Sequence, residues 1–479
     1  MKTKILIALC TLSTLFAACS DEFLEADSTE FMEQNRKEEL LKNPRHKAEI
    51  IEAELNSLYS LMIQYSLNGN SSHDYFGLKS IFLATDMTGE DMVQVRHHWF
   101  GFDYNIDNRS APYRRTSMMW ALFYKMISTS NDILEKYLSE ENLSESLIPS
   151  KAQTLAVRGI AYYYLVNLYQ QTYSGNEDKP GVPIVLSSAD AQKPRAAVKE
   201  VYEQIIKDLT FAVEKGVYTA ENKKDADQKV AAAYLAKAYA SMEKWDMVEK
   251  YATIAIENMS FALPDNFFRI TNADILWGYD INAQTSTIYA SFFSHIDNTI
   301  GGYAGGLGIV KSIHNKLFEK MYEKDSRRKW FIEDKENQWN LPKYANIKYN
   351  SLIDFSGDYI YLRTADPYLL LVEALAEQKK TAEATQKLIE FLAGRGIPAS
   401  EINSAESNLI DYIRLQRRIE LWGEGTSFID FKRWKLPIKR NVEGTNHRTK
   451  KDVSVGGVEF TYQIPQREIE QNPSLVQND

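Results

Sequence analysis

The stretch QKVAAAYLAKAYASMEKWDMVEKYATIAIE, Gln228 to Glu257, decides the fold. It carries two helical patterns joined by a short turn near Glu243-Lys244. A second hairpin of the same make runs from Ala365 to Ala393. There Leu371, Leu375, Ala384 and Leu388 follow the same logic, small residues where helices approach and large ones where they interlock. Each hairpin leaves an apolar face that only a neighbour can cover, so the units are expected to stack.

Leu235, Ala236, Tyr239 and Ala255 stand where a tetratricopeptide repeat places Leu, a small residue, Tyr and Ala, while Val248 and Ala252 depart from it. Gly159 and Ala161 to Tyr169 offer the start of another unit. Further helices are expected over Lys47 to Ile63, from Trp120 to Leu138, over Lys151 to Tyr169 and over Val198 to Val213, each with an apolar stripe. Trp120 and Trp245 lie on such stripes and are assigned to the core. Residues 69–113 and 264–360 lack a sustained period and are read as loop-rich insertions, with short strands such as Thr287 to Phe293 in the second. Long loops on a rigid scaffold commonly carry function. The expected fold is mostly α: tetratricopeptide-like helical hairpins stacked as a scaffold, with a loop-rich ligand-binding half containing a few short strands.

The first residues bear on location. Lys2 and Lys4 precede an apolar stretch from Ile5 to Phe16, too short to span a bilayer, and Ala17-Ala18-Cys19 closes it. A Cys after small residues at a cleavage site resembles the lipobox of bacterial lipoproteins. The reading is a signal peptide over 1–18, a lipid anchor on Cys19, a charged tether over 19–45 and a single domain over 46–479. Acyl chains, at about 0.8 kcal/mol per buried CH2, hold such a product to a membrane. Ser20-Asp21-Glu22 resembles an acidic surface-export tag. Cys10 would leave with the signal, so the mature chain uses no disulfide and rests on its core.

The net charge is −9, from 56 Lys and Arg against 65 Asp and Glu, with no basic block, which argues against nucleic acid as a partner. No GxSxG, HExxH, GxxxxGK or GxGxxG motif occurs, and no catalytic residue, metal or cofactor is assigned. The run Gly301 to Gly308 has Lys311 where a third motif glycine would sit, and is read as a flexible loop. His97 and His98 adjoin, but neighbours on an extended segment face opposite ways and chelate poorly. Asp103, Asn105 and Asp107 resemble the first ligands of a calcium loop. Asn108 and Arg114 stand where Gly and a bidentate Glu belong, so a solvated turn is expected. A pair of catalytic carboxylates, as in glycoside hydrolases, stays open among 65 acids.

The run His97-His98-Trp99-Phe100, with Phe102 and Tyr104, is the candidate ligand platform. Sugars present C–H faces that stack on Trp and Tyr, while Asn, Asp and Arg read their hydroxyls. The candidate binding residues are therefore Trp99, Phe100, Tyr104, Asp74, Arg96 and Asn105, joined by Trp277, Tyr303, Trp330 and Trp339. The two segments are expected to converge on one shallow surface. The alternative for Trp99 is packing beneath its loop.

IRLQRRIELWGEG, Ile413 to Gly425, and FIDFKRW, Phe428 to Trp434, are similar to the signature helix and turn of the SusD/RagB family. That family usually has Glu at the place of Gln416 and Arg at the place of Ser427. AYYYLV from Ala161, GVPI from Gly181, Val201-Tyr202 to Asp208-Leu209, Lys244-Trp245-Asp246, Glu373-Ala374 and the tail IPQREIEQNP from Ile464 fit as well. The resemblance implies a mostly helical, non-enzymatic lipoprotein of the outer membrane, exposed at the cell surface. It implies a lid on a SusC-like TonB-dependent transporter, to which the protein hands oligosaccharide or polysaccharide. The RagB branch handles peptides, which keeps a peptide-binding lid as the alternative, with a glycoside hydrolase behind it. Glu420, Glu424, Asp430, Arg433 and Trp434 are read as structural.

Overall fold

The computed structural model describes residues 40–478 apart from 68–69, 140–142, 188, 191, 217–221, 335, 352–354 and 405–407. The signal, Cys19 and the tether up to residue 39 lie outside the described residues. The chain divides into two units, Met1–Ala53 and Glu54–Asp479. The described part of the first holds the opening turns of helix α1 (Pro44–Ser60), with an exposed Arg45–Glu49 ion pair at 3.1 Å.

In the second unit the helices are α2 (Leu78–Thr88), α3 (Gly101–Tyr104), α4 (Arg114–Tyr137), α5 (Ile148–Tyr169), α6 (Val198–Glu214), α7 (Gln228–Ser241) and α8 (Trp245–Ile256). They continue with α9 (Phe292–Ile296), α10 (Asn315–Phe318), α11 (Ala365–Glu377), α12 (Thr381–Ala393), α13 (Ala399–Ser404), α14 (Leu409–Glu420), α15 (Ser427–Arg433) and α16 (Gln466–Gln471). The Asp227 carboxylate caps α7, accepting from the N–H groups of Lys229 and Val230 at 3.0 Å each. The turn into α8 passes through Glu243 at φ +57°, and Lys379 takes φ +62° at the corresponding place between α11 and α12. Buried alanines such as Ala232, Ala236 and Ala240 let neighbouring helices come close, and Tyr239 stacks on Tyr251 at 5.7 Å. Helices α4 to α8 pack each on the next, α11 packs on α7 and α8, and α12 and α14 pack on α11. The result is a mostly helical stack, consistent with tetratricopeptide-like hairpins. Trp120 is buried in it, whereas Trp245, expected in the core, opens α8 just past the turn and is only half-buried.

The 69–113 segment is not loop throughout. Helix α2 runs through it, and all 11 of its residues are buried. A helix covered on every side has no polar face, so its sequence shows no helical period. Strands β1 (Ser66–Leu67) and β2 (Asn70–Ser71) form a short hairpin before it. Strand β3 (Met92–Gln94) pairs antiparallel with β5 (Lys311–Ile313), and β4 (Ile275–Tyr279) pairs antiparallel with β6 (Tyr359–Arg363). Thr287 to Phe293, expected as a strand, instead forms turns leading into α9, which Ser291 caps.

Past α14 the chain turns at Gly423 and Gly425, at φ +79° and +80°. A Cβ would come 2.6 Å from the Tyr349 ring at the first and 2.5 Å from Phe82 at the second, so both positions need glycine. Glu420 is a buried anion held by Arg327 at 3.1 Å, Arg363 at 3.1 Å and Arg395 at 3.0 Å. Burial alone would raise its pKa, but these guanidiniums hold it well below the usual carboxylate range. Asp430 takes Arg417 and Arg433, and Glu373 accepts from both Arg433 and Trp434. Gln416 accepts from Arg327 through its amide oxygen, and the Ser427 hydroxyl lies 3.3 Å from Asp91.

Candidate ligand-binding site

The β3–β5 pair joins the two insertions, and the contact continues past the ladder as Val95 N–H donates to Val310 at 3.2 Å. Just beyond, Trp99 and Tyr303 meet edge to face, with ring centroids 6.0 Å apart at 81°. His73 locks the pair. Its ring lies parallel to Trp99 at 5.8 Å, and its Nδ1 shares a 2.6 Å hydrogen bond with the Tyr303 hydroxyl. His295 stacks on Tyr303 at 4.7 Å, and its Nε2–H donates to the His73 carbonyl at 2.7 Å. His98 lies 5.2 Å from the Tyr303 ring, and Tyr289, 51% exposed, extends the cluster outward. Trp99 and Tyr303 are half-buried, so each is held in place while part of it meets solvent.

Beside this platform lies an open groove of about 780 Å³. Val95 and Arg96 line it with the glycine-rich loop and the Trp339–Pro342 segment. The loop, expected to be flexible, is tightly folded: Gly302 O accepts from Gly306 and Leu307 at 2.8 and 3.2 Å. A Cβ on Gly305 would stand 2.2 Å from the Ile300 carbonyl. Trp339 packs on an apolar cluster of Val310, Ile332, Leu341 and Ala345. Below, Lys311 is buried, its Nζ donating to the Ile309 carbonyl at 3.0 Å, and burial pulls its pKa down to about 7. Burial, then Lys311, lowers the pKa of His98 and brings that of His295 to about 3.

Of the residues expected at the site, Trp99 and Tyr303 meet, and Arg96 and Trp339 line the adjoining groove. The others lie elsewhere. Trp277 is fully buried on β4, its indole N–H donating to Lys224 O at 2.8 Å, so it has no face to offer a ligand. Trp330 is covered by Phe267 at 5.1 Å and Lys348 at 4.5 Å. Phe100 and Tyr104 are core, the first against Phe76 and His295, the second bonded to His447 at 3.0 Å. Asp74 is buried between Arg114 at 2.8 Å and Arg115 at 3.0 Å. Burial pushes its carboxyl up, but Arg115, Ser72 and Arg114 outweigh that and hold it below its ordinary value. Asn105 is tied to Thr449 at 2.7 Å. Asp103, expected in a solvated turn, is buried with its carboxylate on Arg115 at 2.9 Å. Among the described residues no cluster of His, Cys, Asp and Glu could hold a metal ion. His73, His295 and Tyr289 were not foreseen. Nothing local distinguishes them, because their roles come from partners far off in the chain.

A family model described as "Starch-binding associating with outer membrane" matches residues 32–240, and one described as "SusD family" matches residues 335–479. SusD-like protein P2 of Formosa agariphila is 25% identical over 416 residues, spanning 76% of this chain and 80% of that protein. A solved SusD-like carbohydrate-binding protein from Bacteroides vulgatus superposes with a TM-score of 0.78 at 23% identity, covering 89% of this chain and 97% of that one. A SusD superfamily protein from the same species gives a TM-score of 0.75 at 19% identity, covering 90% and 98%. These structures share the fold. Among the described residues no helix is long and apolar enough to cross a membrane. With SusD-type models matching residues 32–240 and 335–479, which together make up most of the sequence, this chain belongs to the SusD family.

Proposed function

We propose that the protein is a non-catalytic lipoprotein that binds oligosaccharide or polysaccharide at the cell surface. In this reading residues 1–18 are a signal, Cys19 carries the lipid, 19–45 form a tether and 46–479 form one domain. It delivers its ligand to a SusC-like TonB-dependent transporter in the outer membrane, with the Trp99 face turned toward that partner. The observation that carries the reading is the Trp99–Tyr303 pair, two half-exposed aromatic rings held at right angles beside an open groove. Such rings cover the C–H faces of sugars. Among the described residues those lining the groove include no carboxylate and so offer no acid pair of the kind glycoside hydrolysis needs. The SusD-like carbohydrate-binding relative and the starch-binding family description support the same ligand class.

The test is retention of the purified protein on a panel of polysaccharides and peptides. Retention on a glycan without release of sugars is expected, and Trp99→Ala should weaken it. Released sugars, or binding only to peptides, would overturn the proposal. The anchor is tested separately: Cys19→Ala should leave the membrane fraction.

A further inference from the structure

Several arginines of this protein are spent on acids. Arg114 holds Asp74 at 2.8 Å, Arg115 holds Asp103 at 2.9 Å, and Arg328 holds Glu333 at 2.9 Å. Arg96 differs. It is exposed on the lip of the groove, and among the described residues its guanidinium meets no carboxylate. Among the described residues none that lines the groove is acidic, in a chain with 65 Asp and Glu. Asp297, beside the lining residue Asn298, is buried, with its oxygens taken by Thr299 and Ser351 at 2.6 to 2.8 Å. A second basic side chain, Lys311, lies next to the lining. Lys311 follows the lining residue Val310, is buried, and donates to a backbone carbonyl rather than to a carboxylate. Arg96 therefore sets a positive charge on the groove with no acid among the described lining residues, on a protein of net charge −9.

Side-chain carboxylates commonly accept the hydroxyls of a neutral sugar, and among the described residues this lining has none. A guanidinium instead matches a carboxylate or sulfate through two parallel N–H donors. Trp339, fixed on its apolar cluster, supplies a flat face nearby on the same groove. From this arrangement we infer that the groove takes an acidic sugar residue, its ring against Trp339 and its carboxylate or sulfate on Arg96. The inference rests on the glycan-binding reading and names the ligand class.

Native gels cast with polygalacturonate, chondroitin sulfate, neutral pullulan or polyglutamate test it. A protein of net charge −9 is repelled by polyanions, so retardation by one reports a specific site. Polygalacturonate or chondroitin sulfate should retard the wild type, the first marking a carboxylate ligand and the second adding sulfate. Arg96→Gln should weaken that binding at least about tenfold with an unchanged melting temperature, and Arg96→Lys should fall between. Binding should also weaken as salt rises from about 50 to about 500 mM. Retardation by pullulan alone, or acidic-glycan binding that Arg96→Gln leaves intact, overturns this inference while glycan binding stands. No retardation by any polysaccharide overturns both, as does retardation by polyglutamate alone, which assigns the groove to acidic peptide.

Discussion

Acidification should loosen this protein through histidines that its interior keeps neutral. His295, His314 and His447 are each at most 3% exposed. Burial, as the largest cause in each case, brings their pKa values to about 3, about 4 and about 2. An unfolded histidine takes a proton from about pH 6.5 downward. Between 6.5 and the folded value the unfolded state binds more protons, so stability falls as pH falls. The contribution is intact above 6.5 and is lost between 6.5 and about 3 for His295. At pH 5 the loss is about 2 kcal/mol per histidine, or about 6 kcal/mol for all three. That is a large share of a typical stability of about 5–15 kcal/mol. His295 is the informative one, since it stacks on Tyr303 and bonds to His73 within the site. His295→Gln keeps a neutral donor there and cannot titrate. Urea unfolding followed by tryptophan fluorescence at pH 5, 6, 7 and 8 gives the difference between variant and wild type. That difference should move about 2 kcal/mol in favour of the variant between pH 7 and pH 5. Parallel curves for the two proteins would refute the claim that the fold holds His295 neutral.

Trp277→Ala should cost about 3–5 kcal/mol, because the ring is fully buried and its N–H is bonded, while half-buried Trp245 should cost well under that on truncation; thermal melts of the two variants separate them. Glu420→Ala leaves Arg327, Arg363 and Arg395 without their shared anion and should destabilise by about 3–5 kcal/mol, read as a lower urea midpoint. Trp99→Ala should weaken glycan binding about ten- to a hundredfold by calorimetry. It should also lower the melting temperature, because the ring packs on His73, His98 and Tyr303, whereas Trp99→Phe should recover most of the stability.

The helical stack was legible because its helices are half-covered. Val198, Val201, Ile205 and Leu209 mark the buried face of α6, and solvent-facing Lys199, Glu200 and Glu203 mark the other. Helix α2 hides from the same reading for the opposite reason. It is covered all round, even at Lys79, which donates to the Ile360 carbonyl at 2.9 Å. Strand β4 fails similarly: Ile275, Leu276, Trp277 and Gly278 are all buried, so no alternation betrays it. Its tryptophan therefore looked like a loop aromatic. Trp330 was misplaced by the same logic, since what removes it from the surface is Phe267 and Lys348, neither of which is its neighbour in sequence.

The site itself depends on a pairing that no local pattern encodes. Met92 stands opposite Ile313 and Gln94 opposite Lys311 in an antiparallel ladder. The chain leaves β3 toward Val95 and Arg96 at the same end at which it enters β5 from Ile309 and Val310. That end is where the Trp99 segment and the glycine-rich loop must meet, and Val95 N–H to Val310 O is the first bond beyond the ladder. Shifting a strand by one residue would turn its side chains to the opposite face. Strands of three residues carry too little pattern to announce that register. Composition could nominate the two segments, since both combine aromatic, Asn and Gly residues outside any helical period. Which of their aromatics face solvent is fixed by where this short ladder places them. Trp99 and Tyr303 lie just past its open end, half-exposed, while Phe100 and Tyr104 turn back into the core.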